Sequence, residues 1–318
     1  MKNINIFKVV LILTATLLFT NRVFAQVSVD YTSGDVVSCG AVDGVIPILS
    51  ASDNKQAKNL RCLTDLEELK ISLYRIGLCT SKPDTTNPAS DWADKCVFIM
   101  NKTSPLALTL TKSSSNSIDS NIDLSTLNEG IYTHAVLLVG NTLSSKVKST
   151  FTQNFVGKTD VGNLCYTISG GVDPGNSPAR SDLTVECVDT ESEITTNGNY
   201  GHSSKETKFF GTSSARKTAA NGDDVFLMAD ATTLATINTS GKTSNATLVA
   251  GILPFSPSQT INGNSTSIDI GFQLTQFGQV KFSTKSECSD SNRLSLGTTE
   301  ACIVTMKNYG IGFKVSVK

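Results

Sequence analysis

Histidine is almost missing from this chain: His134 and His202 are the only two in 318 residues. Two imidazoles cap what acid–base or metal chemistry can be assembled, because histidine is the side chain that most readily does either near neutral pH. Neither belongs to a His-Glu-x-x-His metalloprotease pattern, and there is no Gly-x-Ser-x-Gly elbow or phosphate-binding glycine loop. Ser-x-x-Lys occurs twice, at Ser145 with Lys148 and at Ser214 with Lys217, without its companion motifs. No Cys-x-x-Cys is present, which removes the usual redox and zinc signatures. Asn221-Gly222-Asp223-Asp224 and Ser289-Asp290-Ser291-Asn292 offer oxygens but lack the spaced carboxylates of an EF-hand loop. The sequence therefore assigns no catalytic residue, no metal site and no cofactor. A glycoside hydrolase stays open, since its two carboxylates are defined by a separation of about 5 to 9.5 Å in space.

A second long apolar run is also lacking. The first occupies residues 9–19, behind Lys2 and Lys8 and ahead of Val23-Phe24-Ala25, the three parts of a cleaved secretory signal over residues 1–25. The run is too short for a good membrane span, and no cysteine follows the cleavage site, which argues against a lipoprotein. The expected product is secreted, periplasmic or on the outer cell surface, and does not span the membrane. Cleavage takes Lys2, Lys8 and Arg22 from the 27 basic residues, leaving 24 against 28 acidic ones, a net charge of −4. No basic stripe with interleaved aromatics remains, so nucleic acid is not an expected partner.

What the chain does have is cysteine. Cys39, Cys62, Cys79, Cys96, Cys165, Cys187, Cys288 and Cys302 all follow the signal, and an even count in an exported chain reads as a disulfide framework. Nearest-neighbour pairing is the default among the 105 possible connectivities. It joins Cys39 to Cys62, Cys79 to Cys96, Cys165 to Cys187 and Cys288 to Cys302, each loop contributing about 3 kcal/mol on the chain-entropy model.

The densest strand signal lies in residues 66–139. Gly130-Ile131-Tyr132-Thr133-His134-Ala135-Val136-Leu137-Leu138-Val139 is aliphatic and β-branched on both alternating faces, as a central strand covered on both sides should be. Tyr132 is expected on the face of His134, Val136 and Leu138, with His134 a packed core residue. Upstream, Leu66, Leu69, Leu73 and Ile76 fit a helical face, with Thr64 and Glu67 as a capping box. The strand reading is preferred, because Leu69, Ile71 and Leu73 alternate and Tyr74, Ile76 and Leu78 alternate one position out of phase, as a β-bulge near Leu73 would produce.

Leu127-Asn128-Glu129-Gly130-Ile131-Tyr132 resembles a tyrosine corner, in which a tyrosine near a strand start hydrogen-bonds upstream backbone in a Greek-key sandwich. The order of parts across residues 66–139 is also similar to prealbumin-like domains, of transthyretin or Cna-B type, in bacterial surface proteins. That resemblance implies a β-sandwich serving as a stalk, spacer or binding module, and it carries over no catalytic residue.

The fold expected is all-β: two disulfide-bonded antiparallel sandwich-like domains, at residues 26–155 and 156–318, the second with a long polar loop at 189–224. Further strands are expected at residues 97–100, 106–110, 225–228, 247–253, 268–274, 280–282, 303–306 and 309–317, with Gly278 turning residues 268–274 into a hairpin with 280–282. The terminal strand is expected to pair within its own domain. Two places suggest binding. The loop between Cys79 and Cys96 holds the only tryptophan, Trp92, beside Asp91 and Asp94, a ring and carboxylates suited to a sugar, although packing onto the local core is the usual fate of such a ring. Phe209-Phe210 is an aromatic pair in the polar tract. The function expected is a non-enzymatic surface, fibre or adhesion component, with a surface glycan or other surface protein subunits as partners. The alternative is a carbohydrate-binding protein or glycan-active hydrolase using the Trp92 loop.

Overall fold

A computed structural model describes residues 26–28, 38–47, 61–85, 88–112, 126–172, 178–206, 216–218, 224–228, 231–234, 246–262, 268–283, 288–289, 296 and 300–317. Residues 1–25, with the expected signal, and Phe209 and Phe210 lie outside these. In chain order the strands are β1 (Gln26–Ser28), β2 (Val45–Ile46), β3 (Arg61–Thr64), β4 (Glu68–Cys79), β5 (Cys96–Thr111), β6 (Gly130–Gly140), β7 (Thr142–Lys146), β8 (Lys148–Val156) and β9 (Val161–Thr167). There follow β10 (Val185–Val188), β11 (Ser203–Glu206), β12 (Arg216–Thr218), β13 (Asp224–Met228), β14 (Leu248–Ile261), β15 (Ile268–Gln273), β16 (Gly278–Ser283), β17 (Cys302–Asn308) and β18 (Gly310–Val317). Among the described residues two short helices join them, α1 (Pro88–Lys95) and α2 (Glu191–Asn197).

The all-β expectation holds. One large sheet runs β11-β7-β4-β6-β14-β13-β12 with β5 on β4, the other β10-β9-β8-β17-β16-β3 with β2 on β8, and β1-β18-β15 form a small third sheet. The largest core cluster takes Leu69, Leu73 and Leu137 from the first sheet, Phe151, Val280 and Ile303 from the second, and Ile270 and Phe272 from the third. The two large sheets thus share one apolar layer, as in a sandwich. Pairing crosses residue 155 in both: β14 pairs with β6 and β16 with β3. The change of composition near residue 155 is not a gap in the hydrogen bonding.

β6 is covered on both faces. Ala135, Leu137 and Val139 pack into the shared core, while Val136 and Leu138 enter a second cluster with Trp92, Phe226, Met228 and Ile252. Tyr132 departs from the expected alternation and joins the shared core. The reason is a break in the β14 ladder, where Pro254 opposes His134 but Gln259 opposes Tyr132, so the strand changes phase between them. The Tyr132 hydroxyl donates to the Asn128 carbonyl at 3.0 Å, the hydrogen bond of a tyrosine corner.

β4 is a strand, and it is bulged where its pattern slips. Leu73 opposes Val139 and Arg75 opposes Leu138, leaving Tyr74 as the extra residue, while Leu69, Ile71, Leu73, Ile76 and Leu78 all reach the shared core. The two strands expected at 97–100 and 106–110 are one 16-residue strand, β5, whose register slips opposite the same bulge, Arg75 facing Asn101 and Leu73 facing Leu106.

The expected 268–282 hairpin does not form. β15 pairs with β18, and β16 pairs with β17 and β3. The strand runs 268–283 and 302–317 therefore lie alongside each other and bend together from one sheet into another. At the bend Tyr309 donates its N–H to the Phe277 carbonyl at 2.7 Å, and Gln276 adopts a left-handed φ of 62°. Apolar alternation is the same in a hairpin and in a bent ribbon, so the pattern alone does not separate them. The terminal strand does pair within the chain, with β15 along its length and with β1 at Gly310–Gly312.

The four disulfides join the sequence neighbours, and the described residues hold no free cysteine. Cys79 lies directly opposite Cys96 on β4 and β5, and Cys165 opposite Cys187 on β9 and β10. Such a framework belongs in an oxidising compartment. Among the described residues, no helix is long and apolar enough to cross a membrane.

Candidate functional site

The Trp92 segment is a helix. Pro88 opens α1, where a residue without an N–H costs nothing, and Asp91 pairs with Lys95 one turn on at 2.9 Å. The Asp91 carboxylate also accepts from the backbone N–H of Asp84, and with Lys95 this holds its pKa below the usual carboxylate range, the Lys95 hydrogen bond being the larger cause. Trp92 faces inward with no exposed surface, its ring 6.0 Å from Phe98 and edge-on to Phe226 at 6.2 Å. Asp94 is exposed on the other side of the helix. The indole is a lid on the outer face of β6 and has no free face to offer a sugar.

The densest constellation of ionisable groups lies elsewhere, at the seam where the chain passes from β7 in one sheet through buried Val147 to β8 in the other. Glu67 leads into β4, which begins with Glu68, β7 and β8 contribute Lys146 and Lys148, and the segment after α2 brings Tyr200 and His202. That segment, expected to be part of a polar loop, is ordered by local chemistry. Glu193 accepts from the Asp189 and Thr190 N–H groups at 2.9 and 2.8 Å, capping α2 and holding its own pKa low. Ile194 then buries against Leu164, Tyr166 and Val188 on β9 and β10. β11 completes the clamp by pairing with β7.

At the seam Lys146 reaches Glu68 at 3.2 Å, and Lys148 reaches Glu191 at 2.6 Å and Glu67 at 3.9 Å. The Tyr200 hydroxyl donates to Glu67, its ring stands edge-on to Tyr166 at 5.5 Å, and the Lys146 ammonium lies 4.3 Å from its centroid. Burial, then the Glu67 hydrogen bond and the charges of Glu67, Glu68 and Glu191, raise the Tyr200 pKa, so the phenol keeps its proton. His202 is 18 % exposed, with Nε2 3.3 Å from a Glu68 oxygen but not aligned to hydrogen-bond it. Burial first, then Lys70 and Lys146, lower its pKa, with Glu68 opposing them. The imidazole is neutral near pH 7.

Chemically this arrangement joins its charges to one another. The phenol is held protonated and aimed at a carboxylate, and each lysine is taken by an acid and an aromatic face. His134, the other imidazole, accepts or donates at 2.9 Å with Thr133 on the central strand and lies in register with Cys79, far along β4 from Glu68. The structure does not bring the two histidines, or the Trp92 acids and the seam acids, into one place. Among the described residues no three His, Cys, Asp or Glu side chains gather as a metal site. The segments 221–224 and 289–292 lie largely outside those residues.

Sequence reasoning missed the seam because its members come from residues 67–68, 146–148, 191 and 200–202, and no local pattern links them. One signal was present: Thr190-x-x-Glu193 followed by Ile194 is a helix start. No protein-family model, curated protein or solved structure matches this chain.

Proposed function

We propose that this protein is an exported, non-enzymatic component of a cell surface or fibre, with a structural or adhesive role. The observation that carries the reading is the way the richest polar cluster is used. Glu67, Glu68, Lys146, Lys148, Tyr200 and Glu191 bond to one another across the junction of the two sheets, which is the work of a clamp. A catalytic constellation would instead leave a nucleophile or base facing a substrate cavity. Four disulfides, two of them between directly opposed strands, support the same reading, since they brace the sheets of a protein working outside the reducing cytosol.

A glycan array and a glycoside-hydrolase screen on the disulfide-bonded protein test it. The expected result is no turnover of any glycan, with or without binding. Turnover that survives purification to homogeneity and is lost on replacing a single carboxylate would overturn the reading in favour of a hydrolase. Specific binding without turnover would instead name the ligand of an adhesive surface.

A further inference from the structure

β5 pairs with β4 along one edge, and among the described residues no strand pairs with its other edge. Sheet edges of this length are normally guarded by charge, proline or a bulge, because their open N–H and C=O groups template further pairing. Here the guards are all at one end. Lys102, Pro105 and the register slip fall within residues 101–106. Leu106-Ala107-Leu108-Thr109-Leu110, up to the last residue of the strand, carries no charge, no proline and no glycine. Lys112, which follows, is committed to Asp65 at 2.5 Å.

The open stretch also has an unfinished apolar row. Leu110, Leu108 and Leu106 lie opposite Leu69, Ile71 and Leu73 of β4. Leu110 is buried, but Leu106 and Leu108 pack against the core while remaining half-exposed. Ala107 and Thr109, on the other face, are exposed.

We propose that this edge pairs with the same edge of a second copy of the chain, antiparallel about a two-fold axis at Leu108. The choice of occupant follows from the sequence of the edge. With Leu108 opposite its own symmetry mate, Leu106 faces Leu110 of the other copy and Ala107 faces Thr109, so three leucine pairs extend the β4 row on one face. The same register sets Lys112 opposite Ser104, so no like charges meet along the paired stretch. Moving the axis by one residue to Ala107 sets Leu110 against Ser104 and leaves two leucine pairs. The contact is isologous and closes as a dimer whose two large sheets become one. It does not depend on what the protein binds, so it stands or falls separately from the exported, non-enzymatic reading.

Sedimentation velocity on the disulfide-bonded protein over a concentration series tests it, beside the variant carrying Ala107→Lys and Thr109→Lys. Both substitutions are on exposed side chains and place like charges opposite each other across the axis. The expected result is a concentration-dependent species of twice the chain mass that the double variant loses while its thermal melt is unchanged. A wild type that stays monomeric throughout overturns the proposal, as does a dimer that survives both lysines. A second variant fixes the register: Leu108→Cys should form a covalent dimer under mild oxidation because two Cα atoms directly opposed across antiparallel strands lie within disulfide range. Ser104→Cys, whose mate is Lys112, should not. Equal cross-linking by the two would also overturn it.

Discussion

The central strand β6 and the strand pair β9–β10 are buried to a similar depth, yet different forces hold them. β6 is held by aliphatic packing on both faces, with Ala135, Val136 and Leu138 wholly out of water. The β9–β10 pair buries a carboxylate. Glu186, 1 % exposed, accepts from the Thr159 and Asp160 N–H groups at 3.0 and 2.9 Å and from the Thr159 hydroxyl at 2.7 Å. Arg180 closes the same turn by donating to the Gly157 and Thr159 carbonyls at 3.1 and 2.9 Å. Gly162 lets the chain pass so close to β10 that a Cβ there would sit 2.1 Å from the Val188 carbonyl carbon. Apolar packing is tolerant of shape and is spread over many atoms. A buried carboxylate with fixed donors is local and all-or-none.

That contrast predicts an order of damage. Leu137→Ala on β6 should cost about 2–5 kcal/mol in denaturant unfolding of the oxidised protein, the range for emptying a well-packed core site. Glu186→Ala should cost roughly 1–3 kcal/mol, because it orphans the Thr159 and Asp160 donors. The Glu186 loss should not be recovered by Gln, which cannot accept at both oxygens. If Glu186→Ala proves the more damaging, or Glu186→Gln is neutral, the division into an apolar centre and a polar flank fails.

The tyrosine corner sharpens the comparison from within the apolar region. Tyr132→Phe keeps the ring in the shared core and removes only the bond to the Asn128 carbonyl, so about 1 kcal/mol should be lost. A loss matching that of Leu137→Ala would mean that the corner, and not the aliphatic layer, fixes the entry into β6.

The same contrast explains what could be read from the chain without its structure. The centre was legible because period-2 alternation and its one-residue slip are local: the bulge at Tyr74 is visible as a change of phase between Leu73 and Ile76. Disulfide partners were legible because each bridge closes a short local loop, its cysteines lying 14 to 23 residues apart in sequence. The bent ribbon was not, since the same alternation describes strands 268–273 and 278–283 whether they pair with each other or with the chain terminus. Glu186 reads as an ordinary surface acid until the 157–160 turn is folded onto it. The seam stayed hidden for the same reason, its residues being brought together only by the fold.

The smallest effect expected is also the one that distinguishes the seam from the rest of the flank. His202 has a folded-state pKa below that of an unfolded imidazole, since burial and the Lys70 and Lys146 charges oppose its protonation more than Glu68 favours it. The unfolded chain therefore binds a proton that the folded chain resists, so this contribution to stability is full above an unfolded pKa of about 6.5 and is lost as pH falls from there through the folded value. Tyr200, beside the same site, has its pKa raised and keeps its proton throughout. Melting temperature measured from pH 7.5 downward should fall for the wild type and fall less for His202→Asn, with the two curves parallel above the imidazole range. If the two variants lose stability in parallel all the way down, the seam is indifferent to His202 and the clamp rests on its lysine–glutamate pairs alone.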